Sequence, residues 1–312
     1  MSKKIENTLT VFTHSDCEWH DIPNHVESPQ RLKELLSRLQ KSKQLKIQLE
    51  QAPFATKEQL ALAHAKNYIE SLFAIAPEQG IRRIDSDTAM MPDTLNAALH
   101  AAGSAVAAVD YTLQHNQPVF CAIRPPGHHA EMNLPIMGGF CFFNNVAIGA
   151  AYALQQAGIE RIAIIDFDVH HGNGTDDIFK DNKNVTLFSS YQHPFYPYTT
   201  PNTPHVIKLQ EGSNGHHAWQ EMKTKWLPEL QALQPDILFI SAGFDAHAED
   251  RVGKLKWKSS DYEIITREIV SATLDSTKGK VVSVLEGGYN VSVLAESAEA
   301  HCVGLLRGVK LI

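Results

Sequence analysis

The stretch at residues 161–174, "RIAIIDFDVHHGNG", joins an apolar run to a cluster of acidic and imidazole side chains. The run at 161–166 is rich in β-branched residues, which predicts a buried strand. Asp168 and His170 follow it, and because side chains two positions apart in extended chain point to the same side, both can reach one ion. The stretch therefore predicts a strand that ends in two metal ligands, with a glycine-containing turn behind them.

The same alternation of apolar strands and helical segments runs through the chain. It predicts an α/β fold with a central, mostly parallel sheet and helices on both faces. No break in composition divides the 312 residues, so we expect a single domain over 1–312. Strands are predicted at 8–12, 119–123, 161–166, 184–189, 236–241 and 281–286, and helices at 28–40, 94–114, 145–158 and 260–275.

Composition excludes several classes of partner. The net charge is −7 and the sequence has no basic stripe, so we expect no direct nucleic-acid binding. The four cysteines form no C-x-x-C pair, which argues against a disulfide framework and a cysteine zinc site. No export signal and no apolar run of membrane-spanning length are present. We expect a cytoplasmic protein without a membrane anchor, and homo-oligomers remain possible.

Four of the predicted strands are followed by polar clusters. "RPPGHHAE" follows 119–123, "DFDVHHGNG" overlaps the end of 161–166, "AGFDAHAED" follows 236–241 and "GGYN" follows 281–286. In open α/β sheets, ligands bind beyond the carboxyl ends of the strands. The clusters therefore predict one site at one edge of the sheet.

A catalytic zinc usually has three protein ligands and an open coordination position. Asp168 and His170 supply two of them, so a third oxygen or nitrogen is required. Asp245 is the best candidate because it follows the strand at 236–241, and His247 is the competing choice.

The tandem His128-His129 follows two prolines and a glycine, which stiffen its loop. A neutral imidazole near pH 7 can take a proton from water, and an adjacent imidazole can carry positive charge beside a developing oxyanion. The pair therefore predicts hydrolytic chemistry next to the metal.

Five motifs, in this order, resemble the zinc-dependent histone deacetylase superfamily: "RPPGHHA", "GGFCFFNNVAIGA", "IDFDVHHGNGT", "SAGFDAHAED" and "LEGGYN". The match is best to its class II and bacterial histone deacetylase-like amidohydrolase branch, which includes acetylpolyamine amidohydrolases. The resemblance extends from about residue 25 to the end of the chain. It implies the arginase-like deacetylase fold and one catalytic Zn²⁺ per chain.

The resemblance also implies roles for individual residues. Asp168, His170 and Asp245 match the zinc ligands, which demotes His247. His128 and His129 match the catalytic tandem, with His129 as the general base. The remaining catalytic positions are Asp166 orienting His128, Asn173 orienting His129, and Tyr289 donating a hydrogen bond to the substrate carbonyl as it becomes an oxyanion.

Further positions match the substrate tunnel and two structural potassium sites of the family. The tunnel positions are Gly139 and Phe140 in its wall, Tyr196 at its rim and Val252 at its mouth. One implied potassium site consists of Asp166, Asp168, His170, Ser189 and Ser190, and the other of Phe179, Asn182 and Val185. Val26 and Tyr198 depart from the family pattern, which often has proline and glycine there, so the first loop and the rim near Tyr196 are expected to have unusual shapes.

The function implied is hydrolysis of the amide of an acylated lysine or of a small acylated amine. An acetylpolyamine amidohydrolase is the alternative, and an arginase-like dinuclear manganese hydrolase is a weaker one, because His171 stands where a further bridging carboxylate would be useful. Val252 offers no charge to a polyamine and Arg251 would repel one, which favours acyl-lysine. A catalytically inactive binding module has no support in the sequence.

Overall fold

The computed structural model describes residues 8–133 and 138–312. Residues 1–7, which belong to the N-terminal stretch where we expect no export signal, lie outside that range. The strands are β1 Thr8–Thr13, β2 Lys46–Gln51, β3 Arg82–Arg83, β4 Ala89–Met90, β5 Val119–Cys121, β6 Ile162–Asp166, β7 Val185–Gln192, β8 His205–Leu209, β9 Ile237–Ala242 and β10 Val281–Leu285. The helices are α1 Pro29–Gln40, α2 Lys57–Leu60, α3 Lys66–Ile75, α4 Thr94–His115, α5 Asn145–Ala153, α6 Asn173–Phe179, α7 Gly215–Lys225, α8 Leu227–Leu233, α9 Ser259–Thr277 and α10 Val291–Gly308.

Eight strands form one parallel sheet in the order β2-β1-β5-β10-β9-β6-β7-β8. The side chains of the central strands β5, β10, β9 and β6 are all buried, as expected when helices cover both faces of a parallel sheet. These four strands are the ones that the polar clusters follow. Because they are consecutive neighbours in the sheet, their carboxyl ends deliver the clusters to one place.

Helices flank the sheet in two groups. Helices α4 and α5 pack together and contact β10 and β9, respectively. Helix α10 packs against both α1 and α9, and α9 contacts β9. The predicted α/β class with a parallel sheet is therefore confirmed. Within the described residues, no helix has the length and apolar character needed to cross a membrane.

The predicted elements differ from the observed ones in several places. The segment at 145–158 is helical only to Ala153, after which the chain turns and Gly158 takes a φ of +84°. The edge strands β2 and β8 were not predicted, because polar, partly exposed residues interrupt their pattern. Helix α10 was also missed, although much of it is buried. The other elements that were not predicted are α2, α3, α6, α7, α8, β3 and β4.

Candidate active site and metal centre

Three side chains with metal-ligating atoms meet beyond the ends of β6 and β9. Asp168, His170 and Asp245 are buried, and one ligand atom from each lies within 4.8 Å of the others. His170 Nδ1 is 2.8 Å from Asp168 Oδ1 and 3.4 Å from Asp245 Oδ2. The sheet therefore brings together the two ligands expected from one strand end and the candidate third ligand from its neighbour.

This cluster fits a cation. Asp245 Oδ2 is buried and has no hydrogen-bond partner among the described residues, which is a costly state for a carboxylate oxygen. Burial and the Asp168 carboxylate raise the pKa of Asp245 to about 6. A divalent cation would satisfy the orphaned oxygen and offset the repulsion between the carboxylates. Two oxygens and one imidazole nitrogen are ligands that zinc accepts.

Gly287, after β10, lets the backbone approach both carboxylates. Its N–H donates to Asp168 Oδ2 at 2.9 Å. A Cβ at this position would lie 2.1 Å from Asp245 Oδ2 and 2.5 Å from Asp168 Oδ2. Glycine is therefore required sterically at the base of the cluster.

His247, the competing third ligand, is not part of this cluster. Its Nδ1 accepts a hydrogen bond from the backbone N–H of Glu249 at 3.1 Å, within its own loop. The structure thus favours Asp245 over His247.

Another group with metal-ligating atoms in the described part of the chain consists of His14, Asp16 and His100. The imidazoles of His14 and His100 are stacked, with centroids 3.4 Å apart and planes 14° apart. The lone pairs of stacked rings lie in parallel planes and do not converge on one ion. We therefore assign no metal to this group.

The tandem histidines follow β5, and each has its own oxygen partner. His128 Nδ1 is 3.0 Å from Asp166 Oδ2, and His129 Nδ1 is 2.7 Å from Asn173 Oδ1. The two rings are 4.1 Å apart and tilted by 46°. With each Nδ1 engaged, Nε2 is the ring nitrogen left for chemistry.

The two histidines differ in their affinity for a proton. Burial lowers the pKa of His128, but the carboxylates of Asp168 and Asp166 outweigh burial and raise that pKa well above its usual value. Burial, together with the charge on His128, lowers the pKa of His129 well below its usual value. A charged His128 therefore lies beside a neutral His129 at neutral pH, and such divergent pKa values are typical of acid–base pairs.

Tyr289 is positioned by a short loop after β10. Asp250 Oδ2 accepts hydrogen bonds from the backbone N–H groups of Tyr289 and Asn290, at 2.6 and 2.9 Å. The rings of Tyr289 and Phe140 form a T-shaped contact, with their centroids 5.6 Å apart. Burial raises the pKa of Tyr289 well above its usual value, so its hydroxyl remains protonated and able to donate.

A cavity of about 230 Å³ leads to these groups. One wall is Gly139, whose φ is +63° and where a Cβ would lie 2.4 Å from His129 Cδ2. Both facts require glycine beside the candidate base. The cavity is lined by Asp87, His129, Gly139, Phe140, His170, Phe195, Tyr196, Val252 and Tyr289.

The family model described as "Histone deacetylase domain" matches residues 25–305. The chain belongs to the histone deacetylase family. A similar protein is "Type-2 histone deacetylase 2" of Dictyostelium discoideum, 33% identical over 336 residues, which cover 91% of this chain and 20% of that protein. The "Histone deacetylase-like amidohydrolase" of Pseudomonas aeruginosa is 32% identical over 280 residues, covering 85% of this chain and 73% of that one.

A solved structure of this family has the same fold. The "Crystal Structure of HDA15 HD domain" aligns with a TM-score of 0.86 and 29% identity, covering 97% of this chain and 90% of that chain. The deacetylase fold expected from the motifs is thereby confirmed, as is membership of the superfamily. The chain spans about a fifth of the length of the Dictyostelium protein.

The positions expected to bind potassium in this histone deacetylase family member lie in two places. Ser189 pairs with Asp166 in the sheet, and its Oγ bonds to His171 Nδ1 at 2.9 Å. The Ser190 Oγ is buried without a hydrogen-bond partner among the described residues. Around α6 and β7, a cavity of about 210 Å³ is bordered by Phe179, Asn182 and Val185.

The two residues that depart from the family pattern are exposed. Val26 is 44% exposed and Tyr198 is 78% exposed. Tyr198 has a φ of 60°, a left-handed conformation that favours glycine. At Tyr198 the backbone therefore has the conformation that glycine favours, although the residue is a tyrosine.

Sequence reasoning missed three residues that shape the site. Phe195 stacks on His170, with ring centroids 5.3 Å apart. The signal for Phe195 in the sequence was its position beside other aromatic residues. Asp87 comes from a distant segment, and no motif marked it. Glu286 is buried and accepts hydrogen bonds from the N–H groups of Gly127 and His128, at 2.7 and 3.2 Å. A charge at the end of the apolar run 281–286 was the available signal for Glu286.

Proposed function

We propose that this histone deacetylase family member is a zinc-dependent amidohydrolase that removes acyl groups from lysine-like amines. One observation carries the proposal. Three metal-ligating side chains lie at the same cavity as Tyr289 and two histidines whose pKa values are shifted in opposite directions. Metal, base and oxyanion donor are the parts that amide hydrolysis by activated water needs.

Asp168, His170 and Asp245 would hold the zinc. When bound, zinc supplies Lewis-acid activation of water and of the substrate carbonyl. The further metal-binding position that an arginase-like reaction needs has no carboxylate at His171, whose ring bonds instead to Ser189 and Asp176. This arrangement favours a single catalytic metal.

The histidines move the protons in the proposed reaction. Neutral His129 takes a proton from the attacking water as the water oxygen bonds to the carbonyl carbon, and returns it to the leaving nitrogen as the C–N bond breaks. Charged His128 stabilises the negative charge that develops, and Tyr289 donates to the carbonyl oxygen. The products are a carboxylic acid and a free amine.

The cavity suits the neutral four-carbon stem of an acyl-lysine. Phe140 and Phe195 offer aromatic walls, and Val252 adds an apolar side chain. Asp250, two residues before Val252, does not supply a charge to the cavity. Its carboxylate is buried and accepts a hydrogen bond from the backbone of Tyr289. These features support acyl-lysine over acetylpolyamine.

One observation favours the polyamine alternative. Asp87 lines the same cavity, and a carboxylate there could pair with a secondary ammonium of an acetylpolyamine. Its Oδ1 accepts from Thr88 Oγ1 at 2.9 Å, which holds the side chain in place.

Comparing kcat/KM for an acetyl-lysine peptide and for acetylspermidine tests the substrate class. We expect the peptide to be preferred, and Asp87→Asn to lower kcat/KM more for acetylspermidine, because only that substrate places a second cation near the carboxylate. The matched control is Asp93→Asn, outside the cavity. A clear advantage for acetylspermidine would establish the alternative, and no turnover of any acylated amine by the zinc-loaded protein would contradict the proposed activity.

We also propose potassium at the two sets of positions described above. The unpartnered Ser190 hydroxyl supports the first site and the cavity beside α6 supports the second. The same proposal includes a single domain over 1–312 and a cytoplasmic location. It includes no nucleic-acid partner and no membrane partner.

A further inference from the structure

The amide of Asn173 lies between His129 and a carboxylate that the proposed reaction has not used. Asn173 Oδ1 is 2.7 Å from His129 Nδ1, and Asn173 Nδ2 donates to Glu131 Oε1 at 2.8 Å. Asn173 is buried and Glu131 is half-buried, so the amide itself is shielded from water. The three side chains form one chain of hydrogen bonds that ends on a negative charge.

The direction of this chain follows from the chemistry of its members. An ionised carboxylate can only accept hydrogen bonds, so Glu131 must face the amide nitrogen of Asn173. The amide oxygen then faces His129, and Nδ1 of that imidazole must carry the hydrogen. This tautomer leaves the lone pair of the neutral ring on Nε2, where His129 can accept a proton as a base.

The backbone at Glu131 is held by contacts with two other segments of the chain. Its backbone oxygen accepts from His64 Nδ1 at 2.9 Å, and His64 Nε2 accepts from the backbone N–H of Asn144 at 2.9 Å. Burial lowers the pKa of His64 to about 4, so the ring is neutral and fits this pattern. On the other side, the N–H of Met132 donates to Asp177 Oδ2 at 3.1 Å.

We infer that Glu131 is a positioning residue that fixes the orientation of the Asn173 amide and, through it, the tautomer of His129. The inference rests on the proposed function, because it concerns how His129 is prepared as the base. Without Glu131, the amide can turn and present its NH₂ group to Nδ1, which moves the ring hydrogen to Nε2 and removes the base. The oxygen and the NH₂ group of an amide are similar in size, so the Asn173 side chain fits in either orientation. The Glu131 carboxylate accepts only from the NH₂ group and therefore selects one orientation.

The first test is the ¹⁵N spectrum of His129, assigned by difference against His129→Gln. In the parent protein Nδ1 should have the signature of a protonated nitrogen and Nε2 that of an unprotonated one. In Glu131→Ala a second population with the reversed pattern should appear. Glu160→Ala, which makes the same change at an exposed glutamate before β6, should leave the pattern unchanged. This test needs no substrate, so its failure is distinct from failure of the proposed function.

The second test is a double-mutant cycle in kcat. Glu131→Ala should lower kcat about 10- to 100-fold, as removal of outer partners of catalytic side chains does, and the isosteric Glu131→Gln should lower it less. In an Asn173→Asp background two carboxylates would oppose each other, so Glu131→Gln should instead raise kcat, because the introduced amide can donate to the new carboxylate. An unchanged ¹⁵N pattern in Glu131→Ala, or the same fold-loss from Glu131→Gln in both backgrounds, would overturn the inference.

Discussion

Replacing Tyr289 with phenylalanine should lower kcat about 10²- to 10³-fold, in line with other deletions of one oxyanion donor. The ring and its edge contact with Phe140 remain, so the change removes a hydroxyl and little else. Because the hydroxyl acts on the developing charge, KM should change much less than kcat. Steady-state kinetics with an acetyl-lysine peptide measures both values.

The matched control is Tyr198→Phe, which makes the same chemical change on an exposed rim tyrosine outside the cavity. It should leave kcat and bound zinc unchanged. Near-full activity of Tyr289→Phe, with zinc content equal to that of the parent, would remove the Tyr289 hydroxyl from the reaction.

His129→Gln should lower kcat by about 10²- to 10⁴-fold, the usual contribution of a general base. Glutamine is polar and neutral, as His129 itself is at neutral pH, so the charge balance beside His128 is retained. Zinc binding should persist, because His129 is not among the three clustered ligands.

The acidic limb of the activity profile gives a second readout for His129. The proposed base must be unprotonated, and its pKa is lowered well below the usual value, so activity of the parent should persist at pH values where an ordinary histidine is already protonated. His216→Gln, at an exposed helix position, is the control and should change neither kcat nor this limb. Parent-like kcat in His129→Gln would refute the assignment of the base.

Much of the sheet was predictable because its central strands are continuous apolar runs. β6, β9 and β10 are buried along their whole lengths, and such runs bounded by turn residues are strong signals. The edge strand β2 is mostly exposed and polar, so its strand character depends on pairing with β1, which a local pattern does not reveal.

The site was predictable where its residues follow the strands directly. Asp168 and His170 could be paired from their spacing alone, whereas the choice between Asp245 and His247 required either the family resemblance or the coordinates. Asp87 was not predicted as part of the site, because tertiary packing brings it there from a segment without an obvious pattern. Glu131 stands in the cluster "RPPGHHAE", but no role was assigned to it from the sequence. Glu131 lies two residues after the tandem histidines, and its hydrogen bond to the Asn173 amide has no signature in a single sequence.

The central claim is that one zinc ion, held by Asp168, His170 and Asp245, supports hydrolysis of an acylated amine. The most direct measurement is a zinc titration of the metal-stripped protein that follows bound metal and hydrolysis of an acetyl-lysine peptide together. We predict that activity rises in proportion to bound zinc and saturates at about one ion per chain, as a three-ligand site with open positions requires, and that Asp245→Asn weakens both. Activity that appears only after a second metal ion has bound, or that is retained without any metal, would contradict the account.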